Sequence, residues 1–202
     1  MKNVTGRLQA VASTSTFLRI PKERVGVLIG PEGRTKESIE EKLSVELQID
    51  GEAGDVTLTL AKNVEDPTLL FKAKDVVTAI GRGFSPEHAF RLIRDEESAL
   101  DIIDLRTIFG KSESDIRRIK GRIIGMDGKT RRIIEELTDT NICVYGHTVG
   151  IIGNIEQAQA AREAVQMLIS GSLHSTVYRF LHRKRRELKK RMLELWEKPP
   201  EE

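Results

Sequence analysis

An internal repeat constrains this chain more than any other feature of its sequence. Shifting the 202-residue sequence by 95 residues aligns positions 28–51 with positions 123–146, and eight of the 24 aligned residues are identical. The identical pairs are Ile29/Ile124, Gly30/Gly125, Gly33/Gly128, Thr35/Thr130, Ile39/Ile134, Glu40/Glu135, Glu41/Glu136 and Gly51/Gly146. Because two copies of one pattern fold most simply as two copies of one domain, the repeat predicts a pair of similar domains.

A second stretch of similarity sets the extent of each copy. Residues 73–83 match residues 161–171 at an offset of 88, so the first copy has seven more loop residues than the second. The predicted divisions are a first domain over 1–83, an interdomain helix or linker over 84–98, a second domain over 99–173, and a basic helix and tail over 174–202.

The order of helices and strands follows from the hydrophobic periodicity of the second copy. The predicted elements are a strand over 100–109, helices over 112–124 and 129–138, paired strands over 141–146 and 148–153, and a helix over 155–170. The first copy repeats this order from Thr16 to Arg82. The pattern β-α-α-β-β-α predicts an α+β fold in which a three-stranded sheet carries three helices on one face.

Two glycines spaced three residues apart separate two predicted helices in each copy, at Gly30 and Gly33 and again at Gly125 and Gly128. Glycine lets a ligand backbone approach the main chain, and the second helix points its free N–H groups and positive dipole end at that ligand. A phosphate-contacting loop and a tight helical hairpin both fit this pattern. The nucleotide-cofactor classes are disfavoured, because G-x-x-x-x-G-K-[ST] is absent and a dinucleotide fold would place its turn after a strand.

The segments Ile29-Gly30-Pro31-Glu32-Gly33 and Ile124-Gly125-Met126-Asp127-Gly128 resemble the I-G-x-x-G signature of KH domains, and the element order resembles their type I arrangement. The resemblance implies a loop that clamps the backbone of about four nucleotides of single-stranded RNA, beside an apolar groove that reads unstacked bases. Aromatic residues make up 4% of the chain, which is too few for the stacking platforms of other RNA-binding sheets.

This resemblance assigns candidate RNA contacts in both copies. The main set, in the second copy, is Arg118, Lys120, Arg122, Ile123, Ile124, Gly125, Met126, Asp127, Gly128, Lys129, Arg131 and Arg132. The secondary set, in the first copy, is Ile29, Gly30, Pro31, Glu32, Gly33, Arg34 and Lys36. We expect the apolar groove at Ile123 and Ile124 with one or two of Ile133, Ile142 and Val144, although ordinary core positions are the alternative for the last three.

The two copies differ in charge. Residues 111–132 contain eight basic and three acidic residues, whereas residues 22–42 contain five of each. The second copy is therefore predicted to be the principal RNA clamp, with the first copy weaker or devoted to a protein contact; a solvated charged face is the alternative. Glu32 and Asp127 depart from the KH pattern, which usually has Lys or Arg inside G-x-x-G. We interpret Asp127 as a residue at the rim of the site.

The carboxyl-terminal segment is strongly basic, with nine Lys or Arg and three Glu over residues 174–198. Leu181, Leu188, Met192 and Leu195 fall near one face of a helix that should end before Pro199. Packing on the second domain, contact with RNA phosphates and contact with a partner protein all remain open. The candidate basic contacts are Arg183, Lys184, Arg185, Arg186, Lys189 and Lys190.

Over nearly its whole length the chain resembles archaeal two-KH-domain ribosome-assembly factors of the Dim-two, or partner-of-Nob-one, type. The interdomain sequence AIGRGFSPEHAFRLI (79–93) carries this resemblance together with the two loops and the basic helix. It implies single-stranded RNA as ligand, in the 3′ region of small-subunit ribosomal RNA, and implies cooperation with the endonuclease that trims that RNA. It also implies a contact with the α subunit of translation initiation factor two. A general KH adaptor in RNA decay or in control of transcription or translation is the alternative.

Other classes receive little support from the sequence. The four histidines lie in different surroundings, no acidic cluster has metal-ligand spacing, and the single cysteine, Cys143, excludes an intramolecular disulfide and a cysteine-rich zinc site. We therefore expect a non-enzymatic protein without metal or cofactor. The first residues lack the apolar run of a secretory signal, so we expect a cytoplasmic protein.

Overall fold

The computed structural model describes residues 15–61, 64 and 66–197, and the chain divides into two compact units between Thr78 and Ala79. The first elements are β1 (Ser15–Arg19), α1 (Lys22–Ile29), α2 (Arg34–Leu43), β2 (Val45–Ile49), β3 (Asp55–Leu60) and α3 (Thr68–Gly81), which contains the division. They are followed by α4 (Pro86–Ala89), α5 (Arg91–Arg94), β4 (Ser98–Asp104), α6 (Leu105–Phe109), α7 (Glu113–Ile124), α8 (Lys129–Thr138), β5 (Asn141–Tyr145), β6 (Thr148–Asn154), α9 (Ile155–Ile169) and α10 (His174–Glu197).

Each unit contains one antiparallel sheet whose last strand lies in the middle. The strand orders are β1-β3-β2 in the first unit and β4-β6-β5 in the second. In the first sheet Thr57 pairs with Phe17 and with Gln48. The second sheet has the same topology, and with the helices between its strands it confirms the predicted α+β fold and the repeat.

In the second unit the helices α7, α8 and α9 pack against one face of the sheet. This core takes Ile119 from α7, Ile134 from α8, Ile151 from β6 and Val165 from α9, none more than 1% exposed. The helix α9 contributes an apolar stripe to this core, since Ala158, Ala161, Val165 and Leu168 are all buried. Val177 and Leu181 of α10 belong to the same core, so the first turns of the carboxyl-terminal helix are built into the second unit.

The opposite face of the second sheet is also covered. A Cβ atom built on Gly150 would lie 2.6 Å from a ring atom of Phe84, and one built on Gly83 would lie 2.8 Å from the sulfur of Cys143. Because Cys143 and Gly150 are paired neighbours, the segment that follows α3 lies against this face. Residues 148–153 of β6 are therefore buried on both faces of the sheet. The prediction placed helices on one face and did not include this cover on the other.

The strand predicted over 100–109 is wrong in its second half. The strand β4 ends at Asp104, whose carboxylate accepts a hydrogen bond of 2.8 Å from the Arg106 N–H and so caps the short helix α6. This helix ends at Gly110, which has a positive φ of 61°. A side-chain oxygen at the N-cap stabilises a helix start, and that local bond outweighs the apolar alternation of the segment.

Most other element predictions are confirmed. Ser112 caps α7 and Ser85 caps α4, each accepting from a backbone N–H three residues ahead. The helix predicted over 129–138 and the two paired strands after it are present. The carboxyl-terminal helix runs from His174 to Glu197 and ends before Pro199, as its sequence indicates.

Candidate nucleic-acid interface

The two G-x-x-G segments fold into the same loop. In the second unit α7 ends at Gly125 (φ 73°, ψ 175°), and Met126–Gly128 forms a short 3₁₀ turn before α8 begins at Lys129. In the first unit Gly30 has φ 74° and ψ 174°, and Pro31–Gly33 forms the matching turn. Each loop therefore leads into the positive end of a helix, which favours an anion. The first helical N–H groups, of Arg34 and Lys129, donate to the Pro31 and Met126 carbonyls within the turns.

The two glycines of each loop are required for different reasons. A Cβ atom on Gly125 would lie 2.3 Å from Thr130 Oγ1 and 2.8 Å from its backbone nitrogen, whereas a Cβ atom on Gly128 would meet nothing within 4 Å. The first unit repeats this contrast: Gly30 lies against Thr35, and Gly33 is nearly free of neighbours. The first glycine is thus needed to close the loop on its threonine, and only the second leaves open space for a ligand.

The acidic residue of each loop lies in the left-handed region. Glu32 has φ 54° and Asp127 has φ 51°. In the first loop Arg34 Nη2 donates to the Glu32 carboxylate at a distance of 2.5 Å, so the acid and the neighbouring cation form an ion pair. In the second loop Arg132 Nη2 instead donates to the Asp127 backbone carbonyl at 2.8 Å, and no described cation forms an ion pair with the Asp127 carboxylate.

Several predicted RNA-contacting cations of the second unit are engaged within the protein. Lys120 Nζ donates to the Gly146 carbonyl and Arg122 Nη2 to the Ser172 carbonyl, at 2.8 and 2.7 Å. Arg131 pairs with Glu135 at 3.9 Å. Lys129 is exposed and has no carboxylate partner among residues that the structure describes. It is the cation next to the open glycine, in the position that Arg34 has in the first loop.

Arg118 lies 3.3 Å from the carboxylate of Asp115. The pKa of that carboxyl is lowered, first by a hydrogen bond from the Ser112 hydroxyl and then by Arg118. In the first unit Lys36 lies 3.8 Å from Glu40, at the position that matches the Arg131–Glu135 pair. Arg118, Arg131 and Lys36 are thus each paired with a carboxylate of their own helix, so they are not free cations.

The predicted apolar groove needs correction. Ile123 is fully buried in the core of the second unit and Ile142 is 3% exposed, so neither presents its side chain to a ligand. Ile133 and Val144 are partly buried against the same core. Ile124 is partly exposed, and Met126, inside the loop, is 81% exposed. In the helix α7 the residue at 123 faces inward because it lies four positions after Ile119.

The sequence did not indicate the role of the repeated glutamates. Glu40 accepts from the Leu47 N–H and Glu135 from the Ile142 N–H, both at 2.7 Å. Each carboxylate ties the helix after the loop to the strand that follows it. The identity of these two residues in the alignment was the available signal, and it marks a structural bond common to both units.

The basic helix α10 presents a mixed surface. Lys184 pairs with Glu163 of α9 at 3.6 Å and Arg183 with Glu187 of its own helix at 3.8 Å. The side chains of Arg185, Arg186 and Lys189 are exposed. Leu181 is buried and Leu188 partly buried, which confirms docking of the helix through this part of its predicted apolar face. Met192 and Leu195 have side chains outside the described set.

The described residues contain neither a cluster of metal ligands nor a membrane-spanning helix. Among the described residues, no group of three or more His, Cys, Asp or Glu side chains is arranged to hold a metal ion. Within those same residues, none of the helices has the length and hydropathy needed to cross a bilayer.

The fold and both loops define a protein of two type I KH domains. Its sequence matches the family described as KH domain over residues 14–85, and the family described as eukaryotic type KH-domain (KH-domain type I) over residues 99–186. A KH domain-containing protein of Methanocaldococcus jannaschii is 49% identical over 90% of this chain and 79% of its own length. The pre-rRNA-processing protein PNO1 of Coccidioides immitis is 31% identical over 68% of this chain, which spans 53% of that relative.

Solved structures agree with these matches. The crystal structure of Dim2p from Pyrococcus horikoshii has a TM-score of 0.77 and 47% identity, covering 84% of this chain and 99% of that one. A chain in the complex of a/eIF2α, aDim2p and rRNA from the same organism has a TM-score of 0.82 and 45% identity, covering 88% and 97%. The chain therefore belongs to the Dim2/PNO1-type family of ribosome-assembly factors, whose KH domains bind RNA.

Proposed function

We propose that the loop of the second unit is the principal RNA clamp of this protein. The observation that carries the proposal is the contrast between the two cations beside the open glycines. Arg34 is paired with Glu32 inside the first loop, whereas the matching Lys129 has no such partner among described residues. A phosphate at Gly128 can accept from the Lys129 ammonium at the positive end of α8 without displacing an internal ion pair.

The proposed set of RNA-contacting residues is smaller than the set that the sequence indicates. They comprise Gly128, Lys129 and the first turn of α8 for phosphate, with Ile124 and Met126 beside the bases. Arg122, Lys120 and Arg132 contribute positive charge while their hydrogen bonds hold the surrounding structure. The exposed face of α10 with Arg185, Arg186 and Lys189 adds further cations that can neutralise phosphates.

The proposed RNA is the 3′ region of small-subunit ribosomal RNA, bound in a single-stranded form during subunit assembly. The support is the family resemblance and the 45% identity to a chain in a complex that contains rRNA. That complex also contains a/eIF2α, so we propose the α subunit of initiation factor two as a partner. Cooperation with the pre-rRNA endonuclease, as a non-catalytic adaptor in the cytoplasm, is proposed from the family alone.

For the first unit we propose weaker RNA binding or a protein contact. Its loop has the same backbone as the second, but the pair between Arg34 and Glu32 occupies the cation and keeps an acid nearby. A carboxylate near a phosphate costs on the order of 1 kcal/mol at a protein surface. A general KH adaptor is the second candidate function, and the same loops would serve it.

Crosslinking of the protein to total cellular RNA, followed by mapping of contacts, separates these candidates. We expect crosslinks concentrated near the 3′ end of small-subunit ribosomal RNA, and we expect peptides around Gly128 to carry them. A Met126→Asp variant, with its added charge inside the loop, serves as the control that should lose those crosslinks. Contacts scattered over messenger RNA with none near that 3′ end would contradict the assembly role and favour the general adaptor.

A further inference from the structure

The helix α10 forms hydrogen bonds with the two helices that flank the second loop. His174 Nε2 lies 3.0 Å from the Arg122 carbonyl in the last turn of α7, and the Tyr178 hydroxyl lies 3.1 Å from Thr130 Oγ1 in the first turn of α8. Because a carbonyl can only accept, His174 is the donor in the first of these bonds. The two bonds flank Gly125–Gly128, one on the chain before the loop and one on the chain after it.

Arg122 adds a third connection between the same parts. Its guanidinium Nη2 donates to the Ser172 carbonyl in the turn between α9 and α10. The carbonyls in the last turn of a helix have no intrahelical partner, so the bond from His174 satisfies one of them at the end of α7. Val177 and Leu181 are fully buried in the core and hold α10 in the place from which these bonds are made.

Thr130 links these bonds to the shape of the loop. Its side chain is 3% exposed, and its Oγ1 is the atom that approaches the Cβ position of Gly125 most closely, at 2.3 Å. The side chain of Thr130 therefore packs directly against Gly125, in the space that a Cβ atom would occupy. The hydrogen bond between the Tyr178 hydroxyl and that same Oγ1 restricts the rotamer of Thr130, and with it the placement of the first turn of α8.

Among its described residues the first unit has no matching arrangement, although its loop has the same backbone. Val27 occupies the position that matches Arg122 in the 95-residue alignment. Thr35 is buried against Gly30 as Thr130 is against Gly125, but none of the described residues forms a hydrogen bond with its hydroxyl. In the described part of the chain, the second of the two loops is tied to an additional helix and the first is not.

We propose that Tyr178 and His174 are positioning residues of the second loop, and that α10 raises the RNA affinity of this unit by fixing the loop in its binding geometry. The inference rests on the proposed RNA-binding function of that loop. It gives α10 a role distinct from its basic charge, because the two positioning side chains lie on its first turns and act through Thr130 and Arg122.

The test compares Tyr178→Phe with Ser175→Ala. The first variant removes one hydroxyl and keeps the ring, and the second removes an exposed hydroxyl from the same helix as a matched control. Amide hydrogen exchange of residues 125–130 in the protein without RNA should become about two- to tenfold faster in Tyr178→Phe, as expected for loss of one hydrogen bond. The exchange of the first loop, residues 30–35, should not change in either variant.

Binding to a single-stranded oligonucleotide of the small-subunit rRNA 3′ end should weaken by a similar factor in Tyr178→Phe. Its dependence on salt should keep the wild-type slope, because no phosphate contact is removed. Thr130→Val breaks the same bond from the other side, so the double variant with Tyr178→Phe should bind no more weakly than the weaker single variant.

Exchange and affinity equal to those of Ser175→Ala would overturn the positioning role. Additive losses in the double variant would overturn it as well. Failure of the wild-type protein to bind this oligonucleotide would count against the proposed function instead, because the exchange measurement on the free protein reports on the loop whatever its ligand is.

Discussion

Replacing each glycine of the second loop by alanine tests whether the two glycines have the separate roles that the structure gives them. Gly125 has φ 73° and ψ 175°, a combination that is essentially restricted to glycine. Gly128 has φ 75° and ψ 13°, in the left-handed helical region that other residues enter at a moderate cost. The surroundings differ too, since the Cβ atom of Gly125→Ala would meet the backbone nitrogen of Thr130 at 2.8 Å.

These differences translate into unequal losses of stability. For Gly125→Ala the backbone conformation costs on the order of 1–3 kcal/mol and the steric overlap about 1–3 kcal/mol more. We therefore expect a loss of about 2–6 kcal/mol in the free energy of unfolding of the second unit. For Gly128→Ala the conformational cost is about 1–2 kcal/mol, partly offset by the lower entropy of the unfolded chain, which leaves about 1 kcal/mol.

Differential scanning calorimetry and urea unfolding followed by circular dichroism measure both losses. RNA affinity is measured under conditions in which each variant is folded. We expect Gly128→Ala to lose RNA affinity out of proportion to its small change in stability, because its methyl group enters the space left open for the ligand. Equal destabilisation by the two substitutions, or unchanged RNA binding in Gly128→Ala, would refute the division of roles.

Three further results are expected. Asp127→Lys should raise overall RNA affinity at low salt by about three- to tenfold and reduce discrimination among sequences, with Asp127→Asn giving a smaller gain; filter binding at several salt concentrations checks this, and a loss of affinity would contradict it. Leu181→Ala should lower the unfolding free energy of the second unit by about 2–5 kcal/mol in urea titrations, since its side chain is fully buried. An NMR titration should find the pKa of the Asp50 carboxyl below its ordinary value, because the N–H groups of Ala53 and Glu52 donate to the carboxylate. The contribution of Asp50 to stability is then present above the unfolded pKa of about 3.9 and is lost as the pH falls through the folded pKa.

The sequence was sufficient to predict the repeat, the α+β fold and most helix boundaries. These features depend on local signals: the hydrophobic periodicity of the second copy predicted the full extent of α8. The short helix α6 was missed because its apolar residues also alternate as in a strand. The bond from the Arg106 N–H to the Asp104 carboxylate favours the helix, and in the sequence a single N-cap is a weak signal beside an alternating run.

The candidate site was predicted at the level of the loop and less well at the level of side chains. Ile123 lies two residues before the signature glycine in sequence, yet helical geometry turns its side chain into the core. The charge count treated Arg122 as a free cation, but its guanidinium donates to the carbonyl of Ser172, 50 residues away in the turn before α10. Such contacts arise from tertiary packing, so charge counts along the sequence cannot reveal them. The domain divisions and the RNA contacts stay predictions.

The central claim is that the second loop, and not the first, is the principal RNA clamp. Each loop is converted separately to Gly-Asp-Asp-Gly, by Met126→Asp in the second unit and by Pro31→Asp with Glu32→Asp in the first, and affinity for a single-stranded oligonucleotide of the small-subunit rRNA 3′ end is measured. We expect Met126→Asp to weaken binding about tenfold or more, and the change in the first loop to weaken it less than about threefold. Loss of binding from the first loop, with binding preserved in Met126→Asp, would contradict the account.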